Sequence, residues 1–178
     1  MSAEVNKALS DKAGSVRPGE ELDLTRLNPW LKTQIDNLGD NADNNSEPEI
    51  TQYSGGKSNW TYCLSYPERE VILRRAPAGT KAKGAHDMGR EYRLQEALKP
   101  VYPYVPEMLA HSDDPQLIGT EFYVMEKING LIPRKNMPRG LTLSSEQAKQ
   151  LCHKALDSLI ELHQVDYKGA GLDHIAKG

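Results

Sequence analysis

The stretch TQYSGGKSNWTYCL, residues 51–64, restricts the fold more than any other feature of the chain. Its paired glycines admit the positive backbone angles of a tight turn. They are followed by Trp60, Thr61, Tyr62, Cys63, Leu64, Ser65 and Tyr66, a run of aromatic and β-branched residues that favours a strand. The turn PERE and a second apolar run, VILRRA, come next. The glycines therefore belong to a strand–turn–strand unit. The GKS within them suggests a phosphate-binding P-loop, whose pattern is G-x-x-x-x-G-K-[ST] before a helix. That pattern requires glycine where Thr51 stands, and a helix N-terminus where the sequence reads strand.

The rest of the chain fits around this hairpin. Residues 1–22 are polar and aperiodic and read as a flexible lead-in. Asn28-Pro29 has the form of an N-cap with proline at the first helical position, and Leu27, Trp30, Leu31, Ile35 and Leu38 recur at helical spacing. GDNADNNSEPE is a loop by composition, so 23–48 reads as a helix and linker. Strands are expected near 49–54, 60–66 and 70–75, and a helix near 86–99, with Met88, Tyr92, Gln95 and Leu98 on one face and Glu91 beside it. EMLAHS and TEFYVMEKI read as two further strands joined by the turn DDPQLIG. After the connector NGLIPRKNMPRGL, Ser144 and Gln147 form a capping box for a long helix. Its apolar stripe is Leu151, Ala155, Leu159 and Leu162.

Bulk properties narrow the function classes. The 178 residues carry 22 Lys plus Arg against 25 Asp plus Glu, a formal charge of −3, which argues against nucleic acid as a partner. No apolar run approaches the roughly 18 residues of a transmembrane helix, and the first residues lack the apolar core of a secretory signal. A cytoplasmic location with no membrane partner is expected. Cys63 and Cys152 stand far apart in unlike contexts and read as reduced, packed thiols.

Three strands, a helix, two strands, a linker and a long helix follow the element order of a protein-kinase small lobe. SGGKSNWTYCL, VILRRAPAGTKAKGAHDMGREYRLQEAL, VPEMLAHSDDPQLIGTEFYVMEKINGLI and LIELHQVDYKGAGL occur here in that order. With them the sequence resembles the aminoglycoside phosphotransferase family over residues 50–173. The closest likeness is to the branch that includes phosphotransferase domains associated with acyl-CoA dehydrogenases. The resemblance implies an α+β fold. A kinase-like small lobe over 49–127, with a five-stranded antiparallel sheet and one helix, would be followed over 128–178 by a linker and the first helix of a truncated large lobe.

It also implies ATP or GTP with Mg²⁺ as cofactors and a small hydroxylated substrate as acceptor. Gly55, Gly56, Ser58 and Asn59 would form the turn over the phosphates, although an ordinary hairpin turn has the same composition. By strand alternation Ile72 and Arg74 face one way, Leu73 and Arg75 the other. The resemblance puts Arg74 where protein kinases carry a phosphate-gripping lysine, and Glu91 as its partner on the helix, in preference to Glu96. The alternative, a surface arginine on an edge strand, suits Arg75 better. Glu126 and Ile128 would offer backbone contacts to adenine, with Met125 lining the pocket. Lys81, Lys83 and His86 read as a solvated basic loop, His163 as a structural hydrogen-bonding residue, and His111, His153 and His174 as lacking partners at ligand spacing.

One departure from the family pattern stands out. The catalytic string H-G-D-x-x-x-x-N does not occur, and His163-Gln164-Val165-Asp166 does not replace it. No catalytic and no metal-ligating residue is assigned. The expectation is the first part of an ATP-dependent phosphotransferase, inactive alone, either a piece of a longer reading frame or a protein without its catalytic half. The alternative is a non-catalytic nucleotide-binding or protein-interaction module.

Overall fold

The computed structural model describes residues 13–38, 46–54, 59–77, 87–132, 137, 140–173 and 175. Four helices and five strands occur among them: α1 (Leu24–Gln34), β1 (Glu49–Gln52), β2 (Trp60–Ser65), β3 (Glu70–Arg75), α2 (Met88–Leu98), β4 (Met108–Ser112), α3 (Pro115–Ile118), β5 (Phe122–Glu126) and α4 (Ser145–His163). The strands form one antiparallel sheet in the order β1-β2-β3-β5-β4. This is the α+β, kinase-like small-lobe architecture expected from the order of elements, with one addition. The turn DDPQLIG holds α3, capped by the Asp114 carboxylate and closed by Gly119 in the left-handed region (φ 79°).

Alternation sorts each strand into two faces. Tyr62, Leu64, Val71, Leu73, Phe122, Val124 and Ala110 point to one face and meet Leu27, Leu31, Ile35 and Leu38. That is the hydrophobic core. Truncating a fully buried leucine here, Leu27 or Leu31, costs about 2–5 kcal/mol by the general behaviour of core positions.

α1 starts earlier than the sequence suggests. Asp23, not Asn28, is the N-cap, its carboxylate accepting from the Thr25 amide at 2.9 Å, and Pro29 lies inside the helix. The apolar stripe begins before Asn28, so the cap must lie further upstream. Asn28 is instead a buried polar link: its Nδ2 donates to the Ser46 carbonyl at 3.2 Å and its Oδ1 accepts from the Tyr66 hydroxyl at 2.9 Å. Burial pushes the Tyr66 phenol up to about 12, so it remains a donor.

Residues 13–22 are not a free lead-in. Gly14 exchanges two backbone hydrogen bonds of 2.8 Å with Gln52, covering the open edge of β1. The buried Gln52 side chain accepts from the Arg17 amide and donates to the Glu20 carboxylate. Arg75 completes this attachment and overturns its reading as a surface arginine on an edge strand. It lies on β3, between β2 and β5, and is only 7% exposed. Its guanidinium donates to the Tyr62 hydroxyl and to the carbonyls of Glu20, Glu21 and Ile118, and lies 4.7 Å from the Trp60 ring centre. A charge so placed survives because carbonyl oxygens and aromatic faces replace its water.

α4 has the capping box read from the sequence: the Gln147 amide donates to Ser144 Oγ and the Ser144 amide to Gln147 Oε1. Its apolar stripe is exposed, Leu151, Leu159 and Leu162 together with Leu156 and Ile160. Cys152 is exposed with it, so only Cys63 is the packed thiol expected of both. A hydrogen bond from Tyr102 to the Ser158 carbonyl (3.1 Å) ties α4 to the loop after α2.

Candidate nucleotide site

The second face of the sheet carries two rows of side chains. Pairing aligns Cys63 with Ile72 and Ile72 with Met125. One step along, it aligns Thr61 with Arg74 and Arg74 with Tyr123. The first row is a mostly apolar strip in which Cys63 and Ile72 are buried and Met125 is half-buried. The second is polar and centred on a guanidinium.

α2 packs on β4 and β5 beside these rows. Its first turn is fixed from two sides. The Asp87 carboxylate caps the Arg90 amide at 2.7 Å. Glu121 Oε1 accepts from the Gly89 amide at 2.9 Å and lies 3.0 Å from His111 Nε2. Gly89 lets these side chains close in: a Cβ would sit 2.8 Å from Glu121 Oε1 and 3.2 Å from His111 Nε2, so the carboxylate would have to turn aside. His111, without a recognisable partner in the sequence, thus belongs to the bracket that holds α2, with the Tyr92 ring 5.3 Å away.

So anchored, α2 carries Glu91 to Arg74. The Arg74 Nη2 to Glu91 Oε2 distance is 3.7 Å, an ion pair longer than a hydrogen bond. Glu96 turns away and accepts from the Tyr92 hydroxyl at 3.0 Å. Both Glu91 oxygens already have donors: Asn59 Nδ2 at 3.0 Å to Oε1 and the Tyr123 hydroxyl at 3.1 Å to Oε2. Tyr123 is fully buried, and that burial pushes its phenol up to about 12. Gln95 Nε2 reaches the same hydroxyl at 3.4 Å, and the Arg74 guanidinium lies 5.9 Å from the ring centre. Arg74 Nε is buried with no hydrogen-bond partner among the described residues. The arginine therefore keeps a buried Nε donor unfilled, and its Nη2 makes no direct hydrogen bond to Glu91.

The other residues singled out from the sequence fall as follows. Asn59 is 5% exposed and turns its carboxamide inward to Glu91. Gly55, Gly56 and Ser58 lie outside the described residues, as do Lys81, Lys83, His86 and His174. Met125 ends the apolar strip. The Glu126 amide donates to the Glu107 carbonyl at 2.9 Å and its carboxylate lies 3.7 Å from Lys99 Nζ. Ile128 is exposed beyond the strand, and His163 is exposed, with no side-chain hydrogen bond among the described residues.

Two features of this face escape the sequence. Tyr123 is one aromatic residue in an apolar run, and only strand register reveals that it faces Glu91. The other is an ion pair of 2.6 Å between Lys127 Nζ and Glu70 Oε2 beside the apolar strip. Glu70 also accepts from the Ser65 hydroxyl, and the bond to Lys127 lowers its carboxyl below the usual range. Burial raises the neighbouring Cys63 thiol, keeping it protonated. Among the described residues no three His, Cys, Asp or Glu come together to hold a metal. None of the described helices is long and apolar enough to cross a membrane.

Comparison with known proteins agrees with this fold. The family model described as phosphotransferase enzyme family matches residues 49–178, most of the chain and all five strands. The chain belongs to this phosphotransferase family. It is 26% identical to a Ralstonia eutropha protein assigned as an aminoglycoside phosphotransferase. That crystal structure superposes with a TM-score of 0.69 over 88% of this chain and 43% of the other. It is 32% identical over 163 residues to acyl-CoA dehydrogenase family member 11 of Rattus norvegicus, covering 92% of this chain. It is 34% identical over 130 residues to family member 10 of Mus musculus, covering 72%. The matched segments span 20% and 12% of those relatives.

Proposed function

We propose that this phosphotransferase-family chain is the nucleotide-holding lobe of an ATP-dependent small-molecule phosphotransferase, one that moves the γ-phosphoryl group to a substrate hydroxyl. The observation that carries this reading is Arg74: a guanidinium with its buried Nε unfilled, held near Glu91, on the face it shares with Cys63, Ile72 and Met125. A nucleotide is flat and apolar at one end and polyanionic at the other, and the two rows match that division. The base would lie against the strip, with the Glu126 carbonyl and the Ile128 amide at its edge, since the Glu126 amide is already committed to Glu107. Arg74 would then reach the α- and β-phosphates, where a guanidinium, charged at every relevant pH, grips two oxygens at once. Glu91 sets the direction of that grip.

ATP fits the residues present. Mg²⁺ does not find a cluster of three His, Cys, Asp or Glu ligands among the described residues. The catalytic string H-G-D-x-x-x-x-N is absent from the sequence, so this chain alone is expected to bind without turning over. Likeness to the acyl-CoA dehydrogenase relatives favours a small hydroxylated acyl metabolite as acceptor over an antibiotic. A second reading, a non-catalytic interaction module, is favoured by one observation, the exposed Leu and Ile side chains of α4. A thermal-shift titration with ATP and Mg²⁺ separates the two. The proposal expects a saturable rise in melting temperature that Arg74→Ala abolishes. No rise in either protein would count against a nucleotide site.

A further inference from the structure

The Arg74–Glu91 pair is loose at 3.7 Å, although an arginine beside a carboxylate usually closes into a two-pronged bond. Glu91 is held by two other donors. Its Oε1 is taken by Asn59 Nδ2 at 3.0 Å and its Oε2 by the Tyr123 hydroxyl at 3.1 Å. Asn59 and Tyr123 are both buried, and Gln95 reaches the Tyr123 hydroxyl from α2, fixing the direction in which that hydroxyl donates.

We propose that Tyr123 and Asn59 are positioning residues. By each donating to one oxygen of Glu91 they hold the carboxylate turned so that it steers Arg74 by charge without closing on the guanidinium, whose terminal nitrogens stay available for phosphate. The proposal rests on the nucleotide reading for its purpose, but not for its geometry. Without these two donors the carboxylate would be free to turn, and Arg74 would close on it. The buried, unpartnered Nε of Arg74 is the other side of the same arrangement, a donor left unused among the described residues. A direct consequence distinguishes this role from simple support of the fold. Tyr123→Phe removes one oxygen atom from a packed ring, yet it would tighten one ion pair while weakening ligand binding.

The test uses the whole chain, with ¹⁵N-labelled arginine observed by NMR and ATP with Mg²⁺ as the probe. In the free protein, rotation of the Arg74 guanidinium about its Nε–Cζ bond is expected to be fast. In Tyr123→Phe, and likewise in Asn59→Ala, it is expected to slow as the group locks onto Glu91. Adding Glu91→Gln to Tyr123→Phe should release it again. Unchanged Arg74 signals in both single variants would overturn the proposal, whatever ATP does. In the binding arm, Tyr123→Phe is expected to weaken ATP about tenfold, the value of a hydrogen bond to a charged group. In an Arg74→Met background the same change should matter less than about twofold, as its path of action is gone. Tyr123→Phe binding ATP as wild type does, while Arg74→Met weakens it, would overturn the proposal and leave the nucleotide reading intact. Absence of any saturable ATP response, with Arg74 locking in Tyr123→Phe, would sink the nucleotide reading alone.

Discussion

Arg74 and Arg75 are chemically identical and adjacent, and the backbone gives them opposite fates. Arg75 faces the core and is surrounded by carbonyl oxygens and aromatic rings, whereas Arg74 faces the second surface of the sheet and keeps a donor unfilled. Arg75→Met is therefore expected to destabilise the chain by about 2–4 kcal/mol, since it leaves several buried acceptors unpaired. Urea unfolding of the variant measures this, and a loss below about 0.5 kcal/mol would mean that the bonds carry no net stability. The thiols divide in a similar way. Cys152 is exposed, and Cys63 is buried with its thiol pushed up by that burial. Alkylation followed by mass spectrometry should modify Cys152 readily, and Cys63 only on the timescale of unfolding. Strand alternation was enough to separate the two arginines by face. Which face was the wet one depended on α1 and residues 13–22 covering the other, and nothing local in VILRRA records that.

At the scale of elements, the fold is held by small polar devices at the ends of helices. The sheet, its strand runs and the Ser144–Gln147 capping box were legible because they rest on residues close in sequence. The start of α1 was misplaced because Asn28-Pro29 imitates a helix start, while Asp23 supplies the real one. Asn28 could be understood only once Ser46 and Tyr66 were brought beside it. Gly89 gives the sharpest test at this scale. Gly89→Ala places a methyl group 2.8 Å from the Glu121 carboxylate, which must turn aside and loosen its bonds to the Gly89 amide and His111. Helix propensity favours alanine by about 1 kcal/mol, and losing those bonds should at least cancel it. Net stabilisation measured by urea unfolding would contradict the bracket described for α2. The Lys127–Glu70 pair gives a pH signature. Glu70 titrates below its ordinary value in the folded chain, so its contribution is present above an unfolded value near 4.5 and is lost as pH falls through the lower folded value. Glu70→Gln should flatten the acid limb of stability against pH below that point, and an unchanged limb would show that the pair is not coupled to folding.

Across the whole molecule, the two sides of the sheet have different tasks. One is closed by α1 and by the segment 13–22 and supplies the core. The other carries α2 and, beside it, a strip in which Cys63 and Ile72 are buried and Met125 half-buried, next to a half-buried cation, Arg74. α4 stands apart from both, with its leucines exposed. Leu156→Ser and Ile160→Ser are expected to change the stability of this chain by less than about 0.5 kcal/mol each, unlike any leucine of α1. The central claim is that the face bearing Arg74 receives the nucleotide. Its most direct test is a titration of methyl-labelled protein with ATP and Mg²⁺. The Ile72 and Met125 methyl signals should shift along one saturable curve while Val71 and Leu73, on the opposite face of the same strand, stay still. Shifts confined to Val71 and Leu73, or none at saturating nucleotide, would contradict the account.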